Sequence, residues 1–114
     1  MTSVRKVVVA PFASEDISSL LDFALTTMGI EQALALDVRI HETIDRLEQF
    51  ADRGRAVPEL RDHSVVVYRE LLVSPYRVVY RVEPTEIWII AVVDHHRNLK
   101  SFLEDRARRD RRGS

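Results

Sequence analysis

Apolar side chains change their spacing along this chain, and each change marks an element. Val4 to Ala10 is a short β-branched run ended by Pro11, which predicts a first strand. Ile17, Leu20, Leu21, Ala24, Leu25 and Met28 then recur every three or four residues, the spacing that lines one face of a helix. Ser14 stands where a cap is wanted, Glu15 and Asp16 suit the positive end of the helix dipole, and Gly29 can stop the helix. The same period resumes from Glu31 with Ala33, Leu36, Ile40, Ile44, Leu47 and Phe50, and predicts a second helix to about Asp52. Two such helices joined at Gly29-Ile30 make an antiparallel hairpin.

After Gly54 the spacing becomes that of strands. Val65 to Val73, Tyr76 to Val82 and Ile87 to Val93 are β-rich runs separated by Ser74-Pro75 and by Glu83-Pro84-Thr85-Glu86, a three-stranded antiparallel meander. Asn98 can cap a short last helix from Leu99 to about Arg106, with Phe102 and Leu103 on one side. The order predicts an α+β fold: N-terminal strand, two-helix antiparallel hairpin, three-stranded antiparallel meander and short C-terminal helix, with the hairpin on one sheet face. In the last strand Ile87, Ile89, Ala91 and Val93 alternate with Trp88, Ile90 and Val92, so both faces are apolar. One hairpin covers only one face. The second needs the C-terminal helix, another copy or a partner segment, and a partner is the favoured occupant.

At 114 residues the chain is long enough for one modest core. Residues 1–105 read as a single domain and 106–114 as a basic, flexible tail. Hydrophobic residues at 46% and charged residues at 31% exclude disorder, collagen-like repeats and a coiled-coil rod. The absence of cysteine excludes disulfides, thiolate metal sites and cysteine nucleophiles. No apolar run approaches the roughly 18 residues of a membrane span, and Pro11 with Glu15-Asp16 ends the first apolar run too early for an export signal. The expected location is the cytoplasm, with no membrane partner.

Charge is unevenly placed. Residues 1–96 carry ten basic and fifteen acidic side chains, whereas Arg97 to Arg112 carry seven basic and three acidic. All but two of the seventeen basic residues are arginine, whose fork suits carboxylate or phosphate. Tyr68-Arg69-Glu70 and Tyr76-Arg77-Val78-Val79-Tyr80-Arg81-Val82 form the densest constellation. Arg77 and Arg81 share a strand face. Whether Arg69 joins them depends on the turn: a two-residue Ser74-Pro75 loop sets it opposite Tyr80, and a three-residue loop or a bulge sets it opposite Val79. The bland alternative is cross-strand pairing of Arg69 or Arg81 with Glu70 or Glu83.

His95 and His96 end the last strand, and strand neighbours point to opposite faces, which argues against one shared metal ion. Either could act near neutral pH as an acid or base. His41 and His63 have no convincing companion. The three glycines form no phosphate loop, and no serine sits in a nucleophile elbow.

Gly54-Arg55-Ala56-Val57-Pro58-Glu59-Leu60, Tyr68-Arg69-Glu70-Leu71, Tyr76 to Val82 and Val92-Val93-Asp94-His95-His96-Arg97 together resemble, in order and spacing, the motifs of the RelE/ParE superfamily of bacterial toxins, over about residues 4–105. The resemblance implies the toxin half of a type II toxin-antitoxin pair, in a hetero-oligomer with a small antitoxin that wraps it. Ribosome-dependent ribonucleases and ParE-like inhibitors of DNA gyrase share this fold. The ribonucleases use an arginine that matches Arg77, lysines that fall at Arg69 and near Leu71, an arginine that falls near His96 or Arg97, and a tyrosine that falls near Phe102. Leucine cannot stabilise a phosphate and phenylalanine has no hydroxyl, so the resemblance leans toward ParE. It implies a gyrase inhibitor that arrests growth by blocking replication, neutralised by a ParD-like antitoxin and needing no cofactor or metal. Arg69, Arg77, Arg81, Arg97 and Lys100 would then bind the target. The alternative is a RelE-like mRNA endoribonuclease acting on the ribosome, with Arg77, His95 and Glu70 catalytic. A degenerate toxin surviving as an antitoxin-binding module is a third reading.

Overall fold

Pro11 sets the boundary between the first two elements. Strand β1 (Lys6–Val9) stops just before it, Ala10 is extended as a residue preceding proline must be, and helix α1 (Pro11–Met28) opens on the proline ring. Ser14 is therefore inside the first turn, its N–H bonded to the Ala10 carbonyl at 3.0 Å, and it does not cap the helix. Gly29 joins α1 to α2 (Ile30–Arg46) at φ 92° and ψ 170°, a conformation essentially confined to glycine. The second helix ends at Arg46 rather than near Asp52, because the chain tightens into i→i+3 bonds at Leu47, Glu48 and Gln49. That change of pitch buries Leu47 and turns Phe50 outward, off the stripe that the sequence predicts.

The computed structural model describes residues 4–58 and 68–113, with side chains of the last helix described through Arg108. Among the described residues, five strands form one sheet in the order β1-β5-β4-β3-β2. The expected meander is present as β3 (Tyr68–Val73), β4 (Tyr76–Val82) and β5 (Glu86–Asp94), and β1 joins it parallel to β5. Residues 65–67 of the expected first meander strand lie outside the described residues. A two-residue edge strand, β2 (Arg55–Ala56), had no signal in the apolar pattern. Asn98 caps α3 (Leu99–Gly113) as expected, its Oδ1 accepting the Ser101 N–H at 2.9 Å. The helix is longer than expected and continues through most of the segment read as a flexible tail.

The hairpin packs Ile17, Leu20, Ala24, Leu36, Ile40 and Ile44 onto Val73, Val78, Tyr80, Ile87, Ile89 and Val92. Full burial of each large aliphatic stabilises the fold by about 1.5–3 kcal/mol. The alternation expected along the last strand is interrupted. Tyr80 pairs with Ile89 and Val79 with Ala91, which leaves Ile90 as the extra residue of a β-bulge. Ile87 and Ile89 thus face the hairpin together with Val92, while Ala91 and Val93 turn to the other side.

That second face is covered by the chain itself and not by a partner. Val79, Ala91 and Val93 pack with Val57, Ile90 and Tyr68 beneath Leu99, Phe102 and Leu103 of α3. Gly54 supports this end of the sheet by close approach. A Cβ there would lie 2.5 Å from the Tyr80 hydroxyl and 2.6 Å from the Glu70 carbonyl oxygen, while the hydroxyl accepts the Gly54 N–H and donates to the Ala51 carbonyl, both at 2.8 Å. Gly54→Ala should lower stability by about 2 kcal/mol in urea unfolding. Wild-type stability in that variant would disprove the close approach.

Candidate functional site

The register of the β3–β4 hairpin decides where the arginines stand. The turn is the two-residue Ser74-Pro75 loop, so Val73 pairs with Tyr76 and Arg69 with Tyr80. Arg69 therefore lies on the face of the helical hairpin, where it donates to the Gly54 carbonyl at 2.8 Å and approaches Asp52 at 4.0 Å. Arg77 and Arg81 lie on the opposite face, so the three arginines form no common cluster. Arg81 pairs with Glu83 at 3.4 Å and sits over Trp88, 5.7 Å from the ring centroid. That pair lies two residues apart along one segment, so it is not a cross-strand pairing.

Arg77 is only 5% exposed. Its Nη1 donates to Glu70 Oε2 at 2.9 Å and its Nη2 to the Arg97 carbonyl at 2.7 Å. The other oxygen of Glu70 accepts Arg55 Nε and pairs with Arg55 Nη2, both at 2.9 Å. Glu70, 3% exposed, is thus a buried carboxylate held between guanidinium groups from β2 and β4. The chain Arg55–Glu70–Arg77 ties β2, β3 and β4 to the turn before α3. A general base must reach the proton it takes. Both oxygens of Glu70 are engaged and turned away from solvent.

The bulge in β5 is held by a second ion pair. Asp16 of α1 accepts the Val92 N–H on Oδ2 at 3.0 Å, and Arg106 of α3 donates Nη1 to the Ile90 carbonyl at 2.8 Å. The two side chains meet at 2.6 Å. The Arg106 guanidinium lies between Phe12 and Phe102, 4.8 and 4.4 Å from their ring centroids. Burial raises the Asp16 carboxyl above the ordinary aspartate value of 3.8, with the Val92 N–H and Arg106 pulling the other way. Sequence reasoning read Asp16 as a dipole partner and Arg106 as the start of a tail. Nothing in an apolar run without glycine announces a bulge.

Past Asp94 the chain leaves the strand, which removes the premise that His95 and His96 diverge. They occupy a turn with ring centroids 3.8 Å apart. His95 Nδ1 lies 2.8 Å from the Pro75 carbonyl, and the Asp94 carboxylate accepts the His96 backbone N–H at 2.9 Å. That backbone bond, foremost, holds the Asp94 carboxyl below its ordinary 3.8. Arg97 is exposed, its guanidinium over Phe102 at 4.8 Å, and Lys100 is exposed on the first turn of α3. Phe102, at the expected place of a catalytic tyrosine, is a stacking platform for two arginines. His41 bonds to Asp37 one turn earlier on α2, at 2.9 Å. Glu59, Leu60 and His63 lie outside the described residues, as do the side chains of Arg109, Arg111 and Arg112.

The second helix carries an exposed apolar ridge. Ile30, Leu34 and Val38 follow one another at successive turns of α2, 64%, 58% and 54% exposed, and Phe23 of α1 is 62% exposed. Among the described residues no helix is long and apolar enough to cross a membrane.

Comparison with known proteins fits this architecture. No curated protein matches the chain. Among solved structures, one titled "Chromosomal ParDE TA system from P. aeruginosa" matches with a TM-score of 0.64 at 24% identity, covering 80% of this chain and 96% of that one, a likeness of fold. The family model described as the ParE toxin of type II toxin-antitoxin systems, parDE, matches residues 7–99. Because that match runs unbroken from β1 through the hairpin and meander to the first residue of α3, the chain belongs to the ParE toxin family.

Proposed function

We propose that this protein, acting in the cytoplasm, arrests growth by inhibiting DNA gyrase, without covalent chemistry of its own, and that an antitoxin neutralises it. The observation that supports this over mRNA cleavage is the burial of Arg77. A scissile phosphate would have to reach a guanidinium that is 5% exposed and already donates to Glu70 and to the Arg97 carbonyl. Separating a buried, hydrogen-bonded charge pair is strongly unfavourable. Of the target-binding candidates, Arg97 and Lys100 are exposed and the side chains of Arg69 and Arg81 are about a third exposed.

An antitoxin is the partner we assign to the outer side of the hairpin. Ile30, Leu34 and Val38 form an exposed apolar ridge along α2, of the kind that marks a protein interface. Leu34→Asp combined with Val38→Asp should weaken capture of a ParD-like antitoxin at least a hundredfold, while shifting stability by less than about 0.5 kcal/mol per site. Undiminished capture would move the interface elsewhere.

The direct test adds the antitoxin-free protein to purified gyrase and measures supercoiling and DNA cleavage. Inhibition with accumulated cleaved DNA, relieved by the antitoxin and weakened by Arg97→Ala with Lys100→Ala, is the expected result. A folded protein without effect on gyrase that cleaves mRNA on ribosomes would overturn the reading.

A further inference from the structure

The turn that follows β5 places three metal-ligating side chains together at the surface. Asp94, His95 and His96 each offer a ligand atom, and these atoms lie within 4.8 Å of one another. We propose that they form a site for a borderline divalent transition metal such as Zn²⁺ or Ni²⁺, with the two imidazoles and the Asp94 carboxylate as protein ligands and water completing the coordination.

The hydrogen bonds of the turn decide the tautomers. A carbonyl oxygen only accepts, so the 2.8 Å contact between His95 Nδ1 and the Pro75 carbonyl makes Nδ1–H the donor and leaves the Nε2 lone pair free. His96 Nδ1 lies 3.2 Å from Asp94 Oδ1, a spacing at which an ion can take the place of the proton the two share and bind both atoms. His95, donating one ring N–H to a carbonyl while presenting the other nitrogen, has the arrangement found around metal ions, because the donated bond orients the ring and raises ligand basicity. The two rings stand 3.8 Å apart with planes inclined by 39°, so each offers a ligand atom to one small volume beside the Asp94 carboxylate.

The backbone holds the cluster. Pro75 accepts the His95 backbone N–H at 2.9 Å as well as its ring, which ties the turn to the β3–β4 loop. The His96 backbone N–H, donated to Asp94 Oδ1 at 2.9 Å, fixes that carboxylate within the turn. The neighbouring cation is directed elsewhere, since the Arg97 guanidinium packs over Phe102. With Asp94 51% and His96 80% exposed, the side chains can close on an ion without displacing the core. Two nitrogens and one oxygen suit zinc or nickel, whereas magnesium and calcium prefer all-oxygen surroundings.

The test titrates the untagged full chain with Zn²⁺ alone, in competition with a chromophoric chelator and in the presence of excess Mg²⁺. One-to-one binding that Mg²⁺ does not displace is expected, weakened at least tenfold in His95→Ala and in His96→Ala and unchanged in His41→Ala. Both substituted side chains are exposed, so circular dichroism should show all variants folded. As an independent measure, substoichiometric Ni²⁺ should broaden the imidazole proton resonances of His95 and His96 and spare those of His41 and His63. Absence of one-to-one binding, wild-type affinity in either histidine variant, or broadening centred on His41 or His63 would overturn the proposal.

Discussion

Arg77→Ala should lower stability by about 3 kcal/mol, far more than loss of any exposed arginine in this protein. The substitution removes the group that neutralises Glu70 from the β4 side and leaves a carboxylate, 3% exposed, facing the exposed Arg55. It also takes the donor from the Arg97 carbonyl, where the chain enters α3. For a domain of this size the loss corresponds to a fall in Tm of roughly 10 °C. Replacing both partners, Arg77→Met with Glu70→Leu, should recover most of it, because an apolar pair leaves no charge uncompensated. A Tm within about 2 °C of wild type for Arg77→Ala would show that the network does not hold the sheet. The same residue separates the two functional readings. Arg77→Lys keeps a cation opposite Glu70 and should retain gyrase inhibition, whereas a catalytic phosphate ligand would lose activity with that change.

The second large effect is expected at the opposite end of the clamp on α3. Arg106→Ala strands Asp16 in a partly buried site, frees the Ile90 carbonyl of the bulge and empties the space between Phe12 and Phe102. The expected loss is about 3 kcal/mol at pH 7. Its pH dependence follows from the raised native pKa of Asp16. A raised carboxyl binds its proton more readily in the native than in the unfolded chain, so its contribution to stability is full below the ordinary value of 3.8 and is lost as pH rises through the native value. Removing Arg106 takes away a group that favours the ionised form, so the penalty should shrink once Asp16 is protonated. Urea unfolding near pH 4 and at pH 7 checks this, and an equal loss at both would contradict the assigned pair.

The helical hairpin was legible because its stripes are long and regular. Ile17, Leu20 and Ala24, then Ala33, Leu36, Ile40 and Ile44, occupy the core as their spacing predicts. The site residues were less legible. Arg77 could be placed on a strand from sequence, but its burial depends on Glu70, on Arg55 and on a carbonyl twenty residues away. His95 and His96 were assigned diverging directions only because the strand was extended past Asp94. The Pro75 carbonyl and the Asp94 carboxylate instead hold those residues in a turn.

Periodicity, the proline and glycine boundaries, and the ordered Tyr-Arg motifs suffice for the α+β architecture and the toxin superfamily. Those signals are local, each contained within one helix, strand or turn. What only the tertiary structure decided is long-range. The β5 bulge re-sorts Ala91, Val92 and Val93 between the two faces, α3 rather than a partner covers the second face, and Asp16 meets Arg106 across ninety residues of sequence. A one-residue slip in register exchanges every side chain beyond it between sheet faces, and a buried charge is tolerated only where its partner lands. Neither condition is written in the spacing of apolar residues, because both are set by groups that become neighbours only when the chain has folded.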